Sequence, residues 1–156
     1  MTDPRQVFDD LVRFETILWG AIDGRLQEER GVGLASLNAM LVIDATPLCR
    51  VHDIAQAVAI TVGGASQAVD RLESAGLCVR RANPSDRRSS IVELTPEGTE
   101  LLRIAAPVFD SELDRLLRAP LPGTALTQLA DTLSTLRRSA ATQAGSPAAG
   151  EALKRN

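Results

Sequence analysis

The chain lacks tyrosine and has few aromatic residues of any kind, so its core cannot be built from stacked rings. Only 3% of its 156 residues are aromatic, whereas 44% are hydrophobic. The apolar interior must therefore consist of leucine, valine, isoleucine and alanine, and this composition favours helices. A chain of this length corresponds to about one domain, with a core of its own or a core shared across a dimer.

Cysteine and histidine are also scarce, with Cys49, Cys78 and His52 as the only examples. Two cysteines and one histidine at this spacing supply neither a disulfide framework nor the ligands of a structural zinc site. We interpret His52 as a surface residue at the start of a helix. No nucleophile–base pair, carboxylate pair or phosphate-binding loop is recognisable, so we predict no enzyme activity, no metal and no cofactor.

Long apolar runs and an excess of positive charge are missing as well. No segment approaches the length of a membrane span, and the first ten residues, MTDPRQVFDD, are polar and acidic, so we expect a cytoplasmic protein. The net charge of −3 argues against nucleic acid as a partner. Its distribution argues the opposite, because residues 71–90 carry five arginines and two acids, whereas residues 1–30 carry seven acids and four arginines. A local basic patch attracts phosphates even on an acidic protein.

The first half of the chain has helical periodicity. Apolar residues three and four apart predict a helix from Pro4 to about Arg30, which Gly31 ends. A second helix is predicted from Leu34 to the breaker Pro47, then a very short strand at 50–51 and a compact helix over 52–59. The stripe of the first helix is Val7, Leu11, Phe14, Leu18 and Ile22.

Residues 61–76 predict an amphipathic helix with a capped start. The hydroxyl of Thr61 is a suitable N-cap, and Gly76 is a suitable left-handed end. At about 100° per residue, one face is apolar and the opposite face is polar, with Gln67 nearest its centre and Ser66 on its flank. The predicted inner face is Val62, Ala65, Val69 and Leu72, and the predicted outer face is Gly64, Gln67, Asp70, Arg71 and Ser74.

Two alternating runs, 77–81 and 90–95, predict an antiparallel hairpin after this helix. The loop between them, 82–89, holds Asp86, Arg87 and Arg88 at its tip. A helix followed by an arginine-tipped hairpin can fill a DNA major groove and reach the neighbouring minor groove. We therefore predict a winged helix-turn-helix protein that binds double-stranded DNA.

The last third of the chain predicts two more helices. Thr95-Pro96 opens the first, whose stripe is Leu102, Ala105, Phe109, Leu113 and Leu116, and Pro107 should kink it. The run APLPG, 119–123, ends it, and a final leucine-rich helix follows. The first and last helices both carry long apolar stripes, which a two-fold dimer on a palindromic operator would bury; an intramolecular helical bundle is the alternative. The predicted dimerisation residues are Val7, Leu11, Phe14, Leu129, Leu133 and Leu136.

The fold class is accordingly mainly α with a small β-wing: a winged helix-turn-helix lobe joined to a helical dimerisation region. We predict a dimerisation helix over 1–33, a DNA-binding lobe over 34–98, dimerisation helices over 99–144 and a disordered tail over 145–156.

The segments VDRLESAGL, 69–77, and NPSDRRSSIVELTPEG, 83–98, resemble the MarR (multiple antibiotic resistance regulator) family. The resemblance implies an obligate homodimer whose recognition helix enters the major groove of a pseudo-palindromic operator. It also implies that Arg88 is the arginine of the wing that enters the minor groove and that Asp86 steadies it, through a bidentate hydrogen bond to the guanidinium. Asn83 stands where the family more often has Asp, and both residues cap turns. Gln67 replaces a frequent Arg and suits adenine.

The candidate DNA-binding set combines the helix, the hairpin and the helix start. Gly63 and Gly64 lack a Cβ and would let the helix end approach a phosphate closely. Arg80 and Arg81 lie on opposite faces of one strand, so we expect one to meet a phosphate and the other an acid of the same chain. The full set is Thr61, Gly63, Gly64, Ser66, Gln67, Arg71, Arg80, Arg81, Asp86, Arg87 and Arg88.

The function that these features favour is a dimeric repressor that a small molecule releases from DNA. Family members often bind small aromatic or phenolic effectors, and Trp19 either lines such a cleft or belongs to the core. One alternative is a redox-sensing regulator, in which Arg80 lowers the pKa of an exposed Cys78 thiol. Another is a winged-helix module that binds protein.

Overall fold

The computed structural model describes residues 1–144, which form six α-helices and one two-stranded antiparallel sheet. These residues divide into two compact units, Met1–Leu113 and a second that begins at Asp114. The predicted fold class, mainly α with a small β-wing, is confirmed. The predicted tail, 145–156, lies outside the described residues.

Helix α1, Pro4–Arg30, has the predicted bounds. Asp3 caps its start by accepting a hydrogen bond from the Arg5 N–H (3.0 Å), and Gly31 ends it in the left-handed region at φ 65°. Glycine is favoured at such a position because it has no Cβ. Within this first unit, α1 buries its C-terminal half through Ile22 and Leu26, whereas its N-terminal half is exposed.

Helix α2, Leu34–Ala45, runs through the centre of the first unit and buries Leu37, Met40 and Ile43. Its start has no cap from its own residues. Instead the Asp23 carboxylate on α1 accepts a hydrogen bond from the Leu34 N–H (2.7 Å). This contact satisfies one of the unpaired N–H groups of the first turn and ties α1 to α2.

Helices α3, Val51–Ala57, and α4, Val62–Ser74, follow. The predicted strand at 50–51 is wrong, because Arg50 is the N-cap of α3 and Val51 is its first residue. Asp53, in the first turn, accepts a hydrogen bond from the Arg50 N–H (2.8 Å) and so outweighs the β-preference of valine. Cys49, the residue before Arg50, makes one strand-like contact: its carbonyl accepts a hydrogen bond from the Val92 N–H of β2 (2.7 Å).

The wing consists of strands β1, Cys78–Ala82, and β2, Ser90–Leu94, in a register that pairs Ala82 with Ser90 at the loop end. The predicted runs are correct to within one residue. Helix α5, Pro96–Leu113, then returns along the core and continues through Pro107. Of its predicted stripe, Leu102 and Ala105 are buried; Val108 and Glu112 are buried with them, and Phe109 and Leu113 are half-buried.

One hydroxyl group joins the end of α4 to the start of α5. The Thr95 Oγ1 donates to the Gly76 carbonyl (2.7 Å) and accepts from the Gly98 N–H (3.0 Å), so the predicted threonine cap is confirmed. The Thr95 N–H also donates to the Leu77 carbonyl (3.0 Å). The end of α4, the base of the wing and the start of α5 therefore meet at this junction.

The second unit contains a π-helical turn, Asp114–Arg118, and helix α6, Gly123–Ala144. The predicted break over 119–123 is confirmed at 119–122, because α6 begins one residue earlier than predicted, at Gly123. The sequence did not predict the π turn. Along α6, Leu129 is half-buried, and Leu133 and Leu136 are exposed. None of the helices in the described part of the chain is long and apolar enough to span a membrane.

Both cysteines are buried in the first unit, each about 1% exposed. Burial raises the pKa of the Cys78 thiol to about 11; the Glu73 charge raises it further, and Arg80 opposes both only weakly. Burial and the Asp53 charge likewise raise the pKa of the Cys49 thiol to about 11. The exposure that the redox alternative requires is absent at Cys78, and the expectation of a lowered pKa is wrong because desolvation outweighs the nearby guanidinium.

The junction at Gly98 predicts a large effect of one methyl group. A Cβ on Gly98 would lie 2.0 Å from the Leu77 carbonyl oxygen, so Gly98→Ala must displace backbone. We expect a loss of about 1–3 kcal/mol in the free energy of unfolding, measured by urea denaturation at fixed protein concentration. Gly24→Ala in α1, where a Cβ meets nothing within 4 Å, is the control and should stabilise the helix by about 0.5–1 kcal/mol. Equal midpoints for Gly98→Ala and wild type would contradict the close approach.

The buried thiols predict resistance to alkylation and oxidation. At pH 8, a thiol with a pKa of about 11 is ionised in only about one molecule in a thousand. We expect Cys49 and Cys78 to react with a thiol reagent slowly in the folded protein, faster as the pH rises towards 11, and at once in urea. Rapid modification of either cysteine in the folded protein at pH 8 would contradict this assignment.

Candidate nucleic-acid interface

Helix α4 begins at a fixed point on the surface. The Thr61 Oγ1 accepts a hydrogen bond from the Gly64 N–H (3.0 Å), which confirms Thr61 as the N-cap. A Cβ on Gly64 would lie 3.2 Å from that same Oγ1, so Gly64 makes room for the cap, a reason that the sequence did not reveal. A Cβ on Gly63 would meet nothing within 4 Å. The first turn of α4 is therefore rigid, and it is open on the Gly63 side.

The inner face of α4 anchors the helix in the core. Ala65, Val69 and Leu72 are buried as predicted, and Ala68 is buried with them. The prediction for Val62 is wrong, since its side chain is 53% exposed. Val62 is the first helical residue, and its side chain projects beyond the end of the core.

The outer face of α4 presents the residues that the sequence predicts. Gln67, Asp70 and Arg71 are exposed, and Ser66 is half-buried on the flank. Gln67 has an amide that donates and accepts hydrogen bonds, the combination that matches the major-groove edge of adenine. Helix α4 is therefore anchored in the core by its inner face and exposes a polar outer face.

Side-chain hydrogen bonds stiffen the loop of the wing. The Asn83 side-chain oxygen accepts from the Ser85 N–H (3.0 Å), while its amide donates to the Ser89 Oγ (2.9 Å). Asp86 Oδ1 accepts from the Arg88 N–H (2.9 Å), and the Asp86 carbonyl accepts from the Ser89 N–H (3.2 Å). Side chains that accept from the backbone two residues on are typical of tight turns. The wing therefore has a defined tip, and Asn83 serves the turn as expected.

The contact between Asp86 and Arg88 differs from the predicted one. The prediction of a bidentate hydrogen bond to the guanidinium is wrong, because the carboxylate accepts from the backbone N–H instead. Within residues 1–144, no carboxylate forms an ion pair with Arg87 or Arg88, and both side chains are exposed. Asp86 fixes the course of the loop and leaves both guanidinium groups available.

The two arginines of β1 are both paired, contrary to the expectation that one would be left for a phosphate. Arg81 forms an ion pair with Glu93 across the hairpin and stays 66% exposed. Arg80 is 24% exposed and lies between Asp70 (2.6 Å) and Glu73 (2.7 Å) of α4. Hydrogen bonds from the Arg80 N–H and then from its guanidinium lower the pKa of the Glu73 carboxyl, which therefore stays ionised at neutral pH.

A cavity of about 150 Å³ lies behind α4 in the first unit. Trp19 of α1 is 42% exposed and lines the cavity, as one of the two predictions for it required. Arg71, predicted only as a DNA contact, lines the same cavity. Its remaining lining comes from α2, α3, the turn between α3 and α4, and α4: Ala35, Asn38, Ala39, Ile54, Val58, Ile60, Gly64 and Ala68. The sequence did not predict Asn38 or Arg71 here, because a cavity depends on how helices pack.

Residues that could hold a metal are not grouped in the described part of the chain, where no three His, Cys, Asp or Glu side chains cluster suitably. His52 is exposed in the first turn of α3. Asp53 beside it is engaged with Arg50, whose backbone N–H lowers the pKa of the Asp53 carboxyl.

Comparison with known proteins gives the same architecture. A MarR family sequence model matches residues 34–90, which contain α2, α3, α4 and the wing up to the start of β2. The transcriptional regulator MhqR of Bacillus subtilis is 30% identical over 66 residues, which are 42% of this chain. The match spans 46% of MhqR, about half the length of that relative.

Two solved structures match over most of their length. A MarR family transcriptional regulator from Streptomyces coelicolor, in complex with DNA, has a TM-score of 0.83 at 25% identity, with 89% of each chain covered. CouR from Rhodococcus jostii, bound to a 23-mer DNA duplex, has a TM-score of 0.73 at 28% identity, with 81% of this chain and 89% of CouR covered. The family resemblance of the sequence is thus matched by a MarR family model over residues 34–90 and by a fold that the chain shares with MarR family transcriptional regulators.

Proposed function

We propose that the protein is a homodimeric transcriptional regulator that binds a pseudo-palindromic site in double-stranded DNA. The observation that carries the proposal is the pairing of a polar helix face with a stiff wing whose Arg87 and Arg88 are unpaired among the described residues. The DNA complexes of the Streptomyces regulator and of CouR support it. We also propose that the protein is cytoplasmic, because its proposed ligand is DNA.

Helix α4 enters the major groove in this proposal. Gln67 donates to and accepts from an adenine edge, and Ser66 contacts a neighbouring base. Thr61 and Gly63 bring the start of the helix against the phosphate backbone, where N–H groups and the helix dipole favour anions. Arg71 completes the positive rim of this surface.

The wing enters the minor groove. Arg88 reaches into a narrow A·T-rich segment, where the negative potential is deepest, and Arg87 contacts a phosphate. Arg81 exchanges Glu93 for a phosphate at little cost, because an exposed ion pair contributes at most about 1 kcal/mol. Arg80 has a different role, because it is held by two carboxylates of α4.

The dimer is proposed from apolar surface that one chain leaves uncovered. In the first unit Val7, Leu11 and Phe14 are exposed on α1, and in the second unit Leu133 and Leu136 are exposed on α6, with Leu129 half-buried. Burial of such residues in a two-fold interface removes them from water and sets two recognition helices at a fixed spacing. Residues 1–33 and 99–144 are accordingly proposed as the dimerisation region and 34–98 as the DNA-binding lobe.

The cavity behind α4 is the proposed effector site, which makes the protein a repressor that a small molecule releases. A volume of about 150 Å³ is the size that accepts one aromatic ring. Trp19 offers a ring to stack on, and the Arg71 guanidinium offers a charge for a phenolate or carboxylate. The structure of CouR with p-coumaroyl-CoA shows that a related protein binds an aromatic ligand.

Selection of genomic fragments by the purified protein tests the function. We expect one or a few fragments with a two-fold repeat to be enriched and to bind at least 10³-fold more tightly than random DNA, in titrations at fixed salt. Light scattering of the free protein should give the mass of a dimer. Equal affinity for all fragments at every salt concentration would contradict the proposal and would favour a winged-helix module that binds protein.

Substitutions at the tip of the wing separate orientation from charge. Arg88→Ala should weaken operator binding by about 1–3 kcal/mol and lower the slope of log K against log salt by about one unit per subunit. Asp86→Ala removes the acceptor of the Arg88 N–H, so it should also weaken binding, although it removes a negative charge. Asp86→Asn keeps an oxygen for the turn and removes the same charge, so it should bind at least as tightly as wild type.

The control for these variants is Arg103→Ala, because Arg103 is exposed and paired with Glu100 on α5. Operator affinity of Arg103→Ala should match that of wild type. Tighter binding by Asp86→Ala at every salt concentration would show that Asp86 acts only as a charge.

The effector site is tested through the only tryptophan of the chain. A phenol or aromatic acid that releases the protein from its operator should change the emission of Trp19, with the same midpoint in both measurements. Ala35→Leu fills part of the cavity from an exposed position and should weaken that ligand about tenfold while operator binding is kept. Release without any change in Trp19 emission would place the effector elsewhere.

A further inference from the structure

Arg80 joins the first strand of the wing to the recognition helix through four contacts. Its guanidinium donates to Asp70 (2.6 Å), to Glu73 (2.7 Å) and to the Ser66 carbonyl (3.4 Å), and its backbone N–H donates to Glu73 (3.0 Å). Ser66, Asp70 and Glu73 follow one another at intervals of four and three residues, so they lie along one side of α4. One side chain of β1 therefore spans two turns of the helix.

The geometry holds the Arg80 side chain in this position. Its side chain is 24% exposed, less than those of Asp70 and Glu73, so it lies beneath its two partners. Burial lowers the pKa of Arg80, but its hydrogen bonds to Asp70 and Glu73 outweigh burial and raise the pKa overall. The planar fork of a guanidinium matches two carboxylates in a way that an ammonium group does not. To reach a phosphate, Arg80 would have to leave both ion pairs.

The wing needs such a connection. It is a sheet of only two strands, and a hairpin of that kind is marginally stable by itself. The chain between α4 and β1 turns at Gly76 with φ 73°, a residue that restrains the backbone little. Three polar contacts hold the base of the wing against α4 in the described chain: the ion pairs of Arg80, the Thr95 junction, and the Cys78 thiol, which donates to the Val69 carbonyl (3.7 Å).

We propose that Arg80 is a positioning residue that sets the angle and distance between α4 and the wing, and thereby the specificity for DNA sequence. This inference rests on the proposed DNA-binding function. Gln67 and Arg88 must reach adjacent grooves at the same time, and their separation is fixed only if α4 and the wing are fixed to each other. Arg80 also offsets one of the two negative charges that Asp70 and Glu73 place on the helix proposed to face DNA.

The double variant Asp70→Asn/Glu73→Gln tests the proposal by the sign of its effect. It removes two negative charges and frees Arg80. If Arg80 were a phosphate contact, this variant would bind operator and random DNA more tightly by the same factor. If Arg80 is a positioning residue, the ratio of operator affinity to random affinity falls by about tenfold, the discrimination that one well-contacted base pair supplies.

Two single variants give independent measurements. Arg80→Lys keeps the charge but not the fork, so it should restore little of the specificity ratio, whereas a phosphate contact would tolerate lysine. Arg80→Gln should lower the ratio with the salt slope unchanged, whereas loss of a phosphate contact lowers the slope by about one unit per subunit and leaves the ratio unchanged.

The matched control is Glu100→Gln/Asp114→Asn, because each of these acids is also paired with an arginine, on elements other than α4 and the wing. It removes the same charge and should keep the wild-type ratio. Circular dichroism selects variants that remain folded, and if Arg80→Gln unfolds, Arg80→Lys and the double variant still decide the question.

Wild-type protein that binds every DNA equally would contradict the proposed function itself. Wild type that prefers its operator, together with variants that keep the ratio and lose salt slope, would overturn the positioning role alone.

Discussion

The junction at Thr95 is the constraint on which the arrangement of α4, the wing and α5 depends. One hydroxyl group caps α5 and holds the last carbonyl of the α4 turn, and the Thr95 N–H holds the next one. The helix passes so close to Leu77 that position 98 has no room for a side chain. Helix α4, the wing and helix α5 therefore share one fixed point, and a shift in any of them must move the others.

Much of this architecture could be predicted because helix ends depend on local chemistry. Pro4, Thr61, Gly76 and Thr95 act within one turn of their own position, and all four have the predicted role. The apolar stripes were predicted for the same reason, since periodicity is a property of the segment itself. The β-propensity of Val51 predicts a strand, but Asp53 accepts the Arg50 N–H and a helix starts there instead.

The sequence predicts which residues belong to the candidate site better than it predicts the contacts between them. The partners of Arg80 lie on α4, seven to fourteen residues away in the chain. The sequence therefore does not distinguish Arg80 from Arg81, its neighbour on the same strand. Asp86 is close to Arg88 in any conformation, yet only the course of the loop decides whether its carboxylate meets the side chain or the backbone. The Trp19 cavity is a product of four helices meeting, and no single segment indicates it. Chemistry that acts across elements becomes visible only when the fold brings the elements together.

The cavity and the outer face of α4 are two sides of one short helix. Gly64 and Arg71 belong to both, and Ala68 lines the cavity one residue away from Gln67. Under the proposed function, a lineage that alters α4 to recognise a new operator therefore also changes the shape of the proposed effector site. Three other residues line the cavity from α1 and α2 and do not lie on α4: Trp19, Ala35 and Asn38. After gene duplication, a change of ligand with the old operator retained would accumulate at these three positions, whereas a change of operator would require compensating substitutions around the cavity.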